Sequence, residues 1–276
     1  MAELATLPDI SGDDGPQLSA LHAALNGIER HVNPHFINRV ANHPAIYPWV
    51  KGYAQGQLDL APILADPRHY ALMGEFGGVL FVNHQPGLYE AHTQIMPEGR
   101  GAWALATVRA CLHWMFTRTD CVEVMTRVPK GNLGARALAK AIGGRFEFTN
   151  PRGWVMNGDP IPADIFALKI QDWMRDAPGL VERGQWFHDR LEAEYERHGV
   201  TIPQHDDDAV HDRYVGAACE MALGGQPDKA AIFYNRWAAL ADYAPVTLRG
   251  RDPVVFDIRD AVVALRDDKL WVLTCR

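Results

Sequence analysis

The sequence predicts a mixed α/β fold, a central sheet flanked by helices, with a further helical and α+β region toward the C-terminus. Three observations carry that prediction. Tyr70–Glu75, Gly78–His84 and Leu88–Ile95 are apolar or alternating runs of strand length, and Gln85-Pro86-Gly87 supplies the reversal between the last two. Ala102–Thr117 is an apolar stretch of helical length that opens from the loop Met96–Gly101. Cys121–Val128 then returns to strand character, and a helix over Asn132–Ile142 follows, closed by Gly143-Gly144. A strand hairpin followed by alternating helix and strand gives a sheet of mixed direction.

Along the chain, Met1–Gly15 is acidic and punctuated by Gly and Pro, which reads as a loose arm. Pro16–Glu29 has helical spacing through Leu18, Leu21, Leu25 and Ile28. His43-Pro44 and Tyr47-Pro48 break a helix, because the residue before proline is pushed out of the α region. A short helix is expected near Asp59–Leu64, ended by Asp66-Pro67. In Leu88–Ile95 the period of two puts Leu88, Glu90, His92 and Gln94 on one face and Tyr89, Ala91, Thr93 and Ile95 on the other. Two short strands, Arg145–Thr149 and Trp154–Asn157, complete the unit.

Composition shifts after Pro160. Ile161–Gly199 reads as helical and charged, with Trp173, Trp186, Phe187 and Tyr195 as apolar anchors. Gln204–Asp208 is a polar break suited to a linker, and helices are expected over Ala209–Leu223 and Asp228–Tyr243. Strand-like pieces Val246–Leu248 and Val254–Ile258 follow, and then a hairpin of Ala261–Leu265 and Leu270–Thr274. The expected organisation is an arm and helix over 1–35, the mixed α/β unit over 36–160 and a C-terminal α+β region over 161–276. Phe233, Tyr234, Trp237 and Tyr243 exceed what so small a region must bury, which points to a protein partner or self-association there.

The 276 residues are 47% hydrophobic, enough for a sizeable core, and carry a formal net charge of −7. A mildly acidic chain without zinc-finger spacing or a strongly basic helix argues against a nucleic-acid module. The four cysteines are scattered, with no spacing for zinc or a disulfide framework, and are expected to be reduced thiols of a cytoplasmic protein. The N-terminus lacks the basic start and apolar run of a secretion signal, and no apolar stretch approaches membrane-spanning length. His205, Asp206, Asp207, Asp208, His211 and Asp212 invite a metal reading, but acids ahead of Ala209 also suit a helix N-terminus, so no metal is expected.

The loop before Ala102 is where chemistry is expected. Glycines let backbone N–H groups approach a phosphate, the following helix start adds partial positive charge, and Arg100 adds a full one. Glu90 and His92 lie on one strand face, and carboxylate or imidazole can accept a proton from an attacking nucleophile.

Read together, Leu88–Ile95, Pro97-Glu98-Gly99-Arg100-Gly101, Cys121–Val128 and Asn132…Ala135…Leu138…Gly143 resemble the ordered motifs of the GNAT acetyltransferase superfamily, over roughly residues 36–157. His43-Pro44-Ala45-Ile46-Tyr47-Pro48, Gly77-Gly78 and Tyr89-Glu90-Ala91-His92 further resemble GNAT-like proteins of tailed bacteriophages. The resemblance implies acetyl-CoA as co-substrate and an amine on a protein or small molecule as acceptor. Ile95, Met96, Gly99, Arg100, Gly101, Ala102 and Asn132 would sit on the coenzyme side, and Glu90 or His92 would be the base. In location it implies the host cytoplasm or the virion. Trp103 and Leu105 depart from the family's small loop positions, and Ala139 stands where many relatives carry a tyrosine acid. Those departures leave open a non-catalytic protein that works through protein contacts.

Overall fold

The computed structural model describes residues 27–197 and 209–240. The elements run β1 (Glu29–His31), α1 (Pro34–Ala41), the short turns α2 (Tyr47–Val50) and α3 (Ala61–Leu64), then β2 (Tyr70–Gly74), β3 (Gly77–Gln85) and β4 (Leu88–Ile95). After these come α4 (Ala102–Arg118), β5 (Glu123–Pro129), α5 (Leu133–Ala141), β6 (Arg145–Met156), β7 (Asp159–Lys169), α6 (Ile170–Asp176), α7 (Leu180–Arg197), α8 (Ala209–Leu223) and α9 (Pro227–Leu240).

The strands form one mixed sheet in the order β1-β2-β3-β4-β5-β7-β6. Every neighbouring pair is antiparallel except β4 and β5. That parallel ladder is short, running from Leu88↔Glu123 to Glu90↔Met125. Beyond it β4 stays with β3 as far as Ile95↔Gly77, while β5 stays with β7 as far as Pro129↔Ala163. The sheet therefore forks. At the crotch the Thr126 hydroxyl donates to the Ala91 carbonyl at 2.9 Å.

Both faces are covered. Tyr89, Ile95, Val79, Phe81, Val124 and Leu168 meet α4, which is apolar around most of its circumference because helices cover its outer side as well. The same core runs on through Trp173 and Met174 of α6 and Leu180 and Phe187 of α7 to Val215 and Met221 of α8 and Phe233 of α9. Truncating a fully buried ring such as Phe116 would cost about 3–5 kcal/mol. On the opposite face α1 places Ile37 and Ala41 over Ala71, Met73 and Leu80. Asn33 caps α1 by accepting the His35 N–H, and Pro34 sits in the first turn, where its missing N–H costs nothing.

The mixed central sheet flanked by helices is the fold class that the sequence predicts, and Leu88–Ile95 and Ala209–Leu223 have the predicted bounds. Four readings are corrected. Arg145–Thr149 and Trp154–Asn157 are one long strand, interrupted by register shifts near Phe146 and around Pro151. Residues 161–169, read as the start of the helical region Ile161–Gly199, belong to β7, inserted between β5 and β6. The composition shift after Pro160 thus falls inside a hairpin. The run Ala163–Leu168 is near-continuously apolar because this strand is buried, and such a run has no period to separate strand from helix. Glu29, read as the end of a helix, lies in β1. Tyr47-Pro48 begins a helical turn instead of breaking one, since proline is tolerated in a first turn.

Residues 16–26 of the expected Pro16–Glu29 helix, the polar break at 204–208 and the strands expected after 245 lie outside the described residues. So do the side chain of the anchor Tyr195 and those of Trp237 and Tyr243, on the last two of which part of the partner reading depends.

Candidate active site

The fork places β4 and β5 as two arms with a cavity of about 670 Å³ between and beyond them, within the range of small-molecule sites. Its walls come from both faces of the sheet. On the α4 side they are Val79, Phe81, Ile95, Ala104, Leu105 and Val108, with Asn132, Ala135 and Leu138 from α5. On the other side they are Ile46, Trp49, Val50, His92 and Trp154. The cavity thus passes through the plane of the sheet where the ladder stops.

At its α4 end the backbone is arranged for an anion. Gly101 is the N-cap of α4 with φ +89°, a conformation side chains rarely adopt. No side chain caps the helix, and its ladder begins with the Leu105 N–H donating to the Gly101 carbonyl. The amides of Ala102, Trp103 and Ala104 therefore have no helical acceptor, and the helix dipole adds to their pull on negative charge. Arg100 is exposed at the same mouth.

Trp103 does not fill this space. Its ring turns toward the β2–β3 hairpin, edge-on to Phe76 with centroids 5.2 Å apart, and covers Gly99 so closely that a Cβ there would lie 2.8 Å from the indole. Leu105 is the bulky departure that does reach the cavity wall.

His92 stands on the far arm of β4. Burial pulls its imidazole below the ordinary value against the opposing pull of the Glu90 carboxylate, so at neutral pH it is unprotonated and able to accept a proton. Glu90 has a different setting. Only 2% exposed, it receives Arg127 Nε at 2.6 Å and Nη2 at 2.8 Å, and His84 Nε2 lies 2.8 Å away. Burial raises the Glu90 carboxyl, but Arg127, His92 and His84 outweigh it and leave it below the usual carboxylate range. A carboxylate so held is a weak base.

Two solved acetyltransferases resemble the chain. The spermidine N-acetyltransferase from Vibrio cholerae in complex with CoA and spermine aligns at 15% identity with a TM-score of 0.45, over 54% of this chain and 99% of that one. The ribosomal-protein-S5-alanine acetyltransferase from Vibrio fischeri aligns at 14% identity with a TM-score of 0.41, over 55% and 91%. No protein-family model and no curated protein matches the chain.

The cavity brings together His92, Ile95, Arg100, Gly101 and Asn132 of the residues singled out from sequence. Asn132 also holds the start of α5, accepting the Ala135 N–H at 3.0 Å. Met96, Gly99 and Ala102 do not line it. Met96 donates its N–H to the Phe76 carbonyl, Gly99 is buried under Trp103, and Ala102 is exposed on the first helical turn. Glu90 instead lines a second, shallower depression with His84, Arg127 and Glu147. Ala139 is packed against Val128 and Phe166.

Sequence reasoning missed Ile46, Trp49, Trp154, Arg127 and Thr126. Trp154 donates its indole N–H to the Trp49 carbonyl at 2.8 Å across 105 residues, a pairing that has no local signal. Among the described residues no group of three His, Cys, Asp or Glu could hold a metal, and no helix is long and apolar enough to cross a membrane. Cys111 and Cys121 are buried thiols; burial raises both, Cys121 to about 12, which removes them as nucleophiles.

Proposed function

We propose that the protein is an acetyl-CoA-dependent N-acetyltransferase. The observation that carries this reading is the continuous cavity through the fork, with uncapped amides and Arg100 at one end and an unprotonated imidazole at the other. An extended, amide-containing chain with a diphosphate at one end and a thioester at the other fits that geometry. The α4 amides and Arg100 hold the diphosphate. The edge of β4 beyond Ala91, which no longer pairs with β5, offers backbone groups to the extended chain. The thioester then lies near His92.

His92 takes the proton from the acceptor ammonium, and the amine nitrogen bonds to the acetyl carbonyl carbon. The carbon–sulfur bond breaks with its electron pair leaving on sulfur, and the second proton of the nitrogen, lost as the amide forms, goes to the departing coenzyme A thiolate or to water. A thiol pKa near about 8.5 makes that thiolate a competent leaving group without a tyrosine acid, so Ala139 does not block the reaction. Glu90 serves to fix Arg127 and to steady the His92 ring, with 3.5 Å between Glu90 Oε1 and His92 Nε2.

The test is coenzyme A release from acetyl-CoA with an amine panel across pH. His92→Ala should lower kcat about 10²–10⁴-fold, the usual contribution of a general base. Glu90→Gln should cost less. A wild-type acid limb below pH 6.5 is expected, because the folded imidazole titrates below its ordinary 6.5 and the reactive form is present above that point. Equal rates for wild type and His92→Ala would rule out this base.

Ala139, with no hydroxyl where relatives carry a proton donor, favours a second reading. In it the fold is kept without catalysis and the protein acts through protein contacts, as a phage virion or assembly component. Tight acetyl-CoA binding without turnover on any amine would select it.

A further inference from the structure

No carboxylate lines the cavity through the fork among the described residues. Among the described residues that line it, the ionisable groups are His92, Arg100 and Arg127. Glu90 is adjacent, with Oε1 3.5 Å from His92 Nε2, but Arg127 and His84 take up its oxygens and it does not line the cavity. On the His92 side the wall is Ala45, Ile46, Trp49, Val50 and Trp154. The indole N–H of Trp154 already donates to the Trp49 carbonyl, so its ring offers apolar surface to whatever enters. One polar group interrupts this wall. Gln94 is 4% exposed and its amide oxygen has no hydrogen-bond partner, which costs desolvation until an N–H donor arrives. His92 and Gln94 point to the same face of β4.

We propose that the acceptor is a monoamine with an apolar or aromatic body, and that polyamines and lysine-rich peptides are rejected. This rests on the acetyl-transfer reading above. A monoamine gives up its one charge to His92 at the moment of attack, and its body replaces water along Ile46, Trp49 and Trp154. Gln94 Oε1 accepts an N–H of the bound amine. A polyamine would bring a second ammonium into the same space, where no carboxylate lines the wall and Glu90 is already taken up by Arg127 and His84, and an unpaired desolvated charge is strongly disfavoured.

The experiment is calorimetric titration of the full chain. Coenzyme A is added first, and then 2-phenylethylamine or spermidine is titrated into the coenzyme-saturated protein. Phenylethylamine should bind at least about tenfold more tightly than spermidine, a discrimination within reach of an apolar pocket. Trp154→Phe should keep that preference, and Trp154→Ala should lose about tenfold for phenylethylamine while coenzyme A affinity stays unchanged. Ala45→Glu, which adds a carboxylate to the wall, should shift the preference toward spermidine. Spermidine binding as tightly as phenylethylamine overturns the acceptor class and leaves acetyl transfer standing. So does coenzyme A binding with no heat from either amine. Failure of coenzyme A to bind at millimolar concentration defeats the acetyl-transfer reading, and the acceptor class with it.

Discussion

The fork and the helical unit behind α4 handle buried polar groups in opposite ways. Behind α4, Arg183 is 1% exposed and donates from Nε to Glu220 at 2.6 Å, while His113 Nε2 lies 3.4 Å from the other oxygen of Glu220. Lys229 donates to the carbonyls of Phe116, Thr119 and Cys121 and so closes the C-terminal end of α4. Helix backbones touch as well, since a Cβ at Gly216 would lie 1.9 Å from the Leu180 carbonyl oxygen. At the fork the ladder stops, the first amides of α4 have no helical acceptor and the Gln94 oxygen has no partner. Apart from His113 Nδ1, which has no hydrogen-bond partner, the charged groups named behind α4 are paired and hold the molecule together, whereas those left open at the fork can bind.

The contrast makes the helical unit the place where substitutions should cost most in stability and least in ligand binding. Removing one partner of a buried ion pair leaves the other charge uncompensated, so Glu220→Ala should destabilise by about 3–5 kcal/mol in chemical denaturation. A loss below about 1 kcal/mol would break the contrast. Burial raises the Glu220 carboxyl, but His113 and Arg183 outweigh it and hold it at about 2, against 4.5 for an ordinary glutamate. A depressed folded pKa gives stability that is complete above the unfolded value and lost as pH falls toward the folded one. Wild type should therefore lose about 3 kcal/mol between about pH 4.5 and pH 2 through this group, and Glu220→Gln should flatten that part of the profile.

Gly216→Ala comes next, at about 1–3 kcal/mol from overpacking against Leu180. At the fork the order reverses. Arg100→Ala should leave the melting temperature unchanged yet weaken acetyl-CoA about tenfold or more, the loss of one charge-assisted contact. An Arg100→Ala protein that melts early and binds normally would put Arg100 on the structural side instead.

Much of the fork's near arm was legible before the structure. The alternation in Leu88–Ile95 puts His92 and Gln94 on one face, and the glycines of Met96–Gly101 mark a backbone built for close approach. Glu90 and His92 looked equivalent because a period of two gives a face but not its partners, and Arg127, 37 residues away, decides which of them is free. The β6–β7 hairpin carries a local signal. Asn157-Gly158 both take positive φ, as a two-residue hairpin turn requires, whereas the sequence reading places only a composition shift after Pro160. The acceptor side was illegible because Trp49 and Trp154 meet only through the folded sheet.

Hydrogen exchange with and without acetyl-CoA tests the central claim most directly, since the fork is where backbone amides lack partners. Saturating acetyl-CoA should slow exchange in peptides spanning Ala91–Leu105 and leave α7 and α8 unchanged. Unchanged exchange across Ala91–Leu105 at millimolar acetyl-CoA, or protection confined to the helical unit, would contradict it.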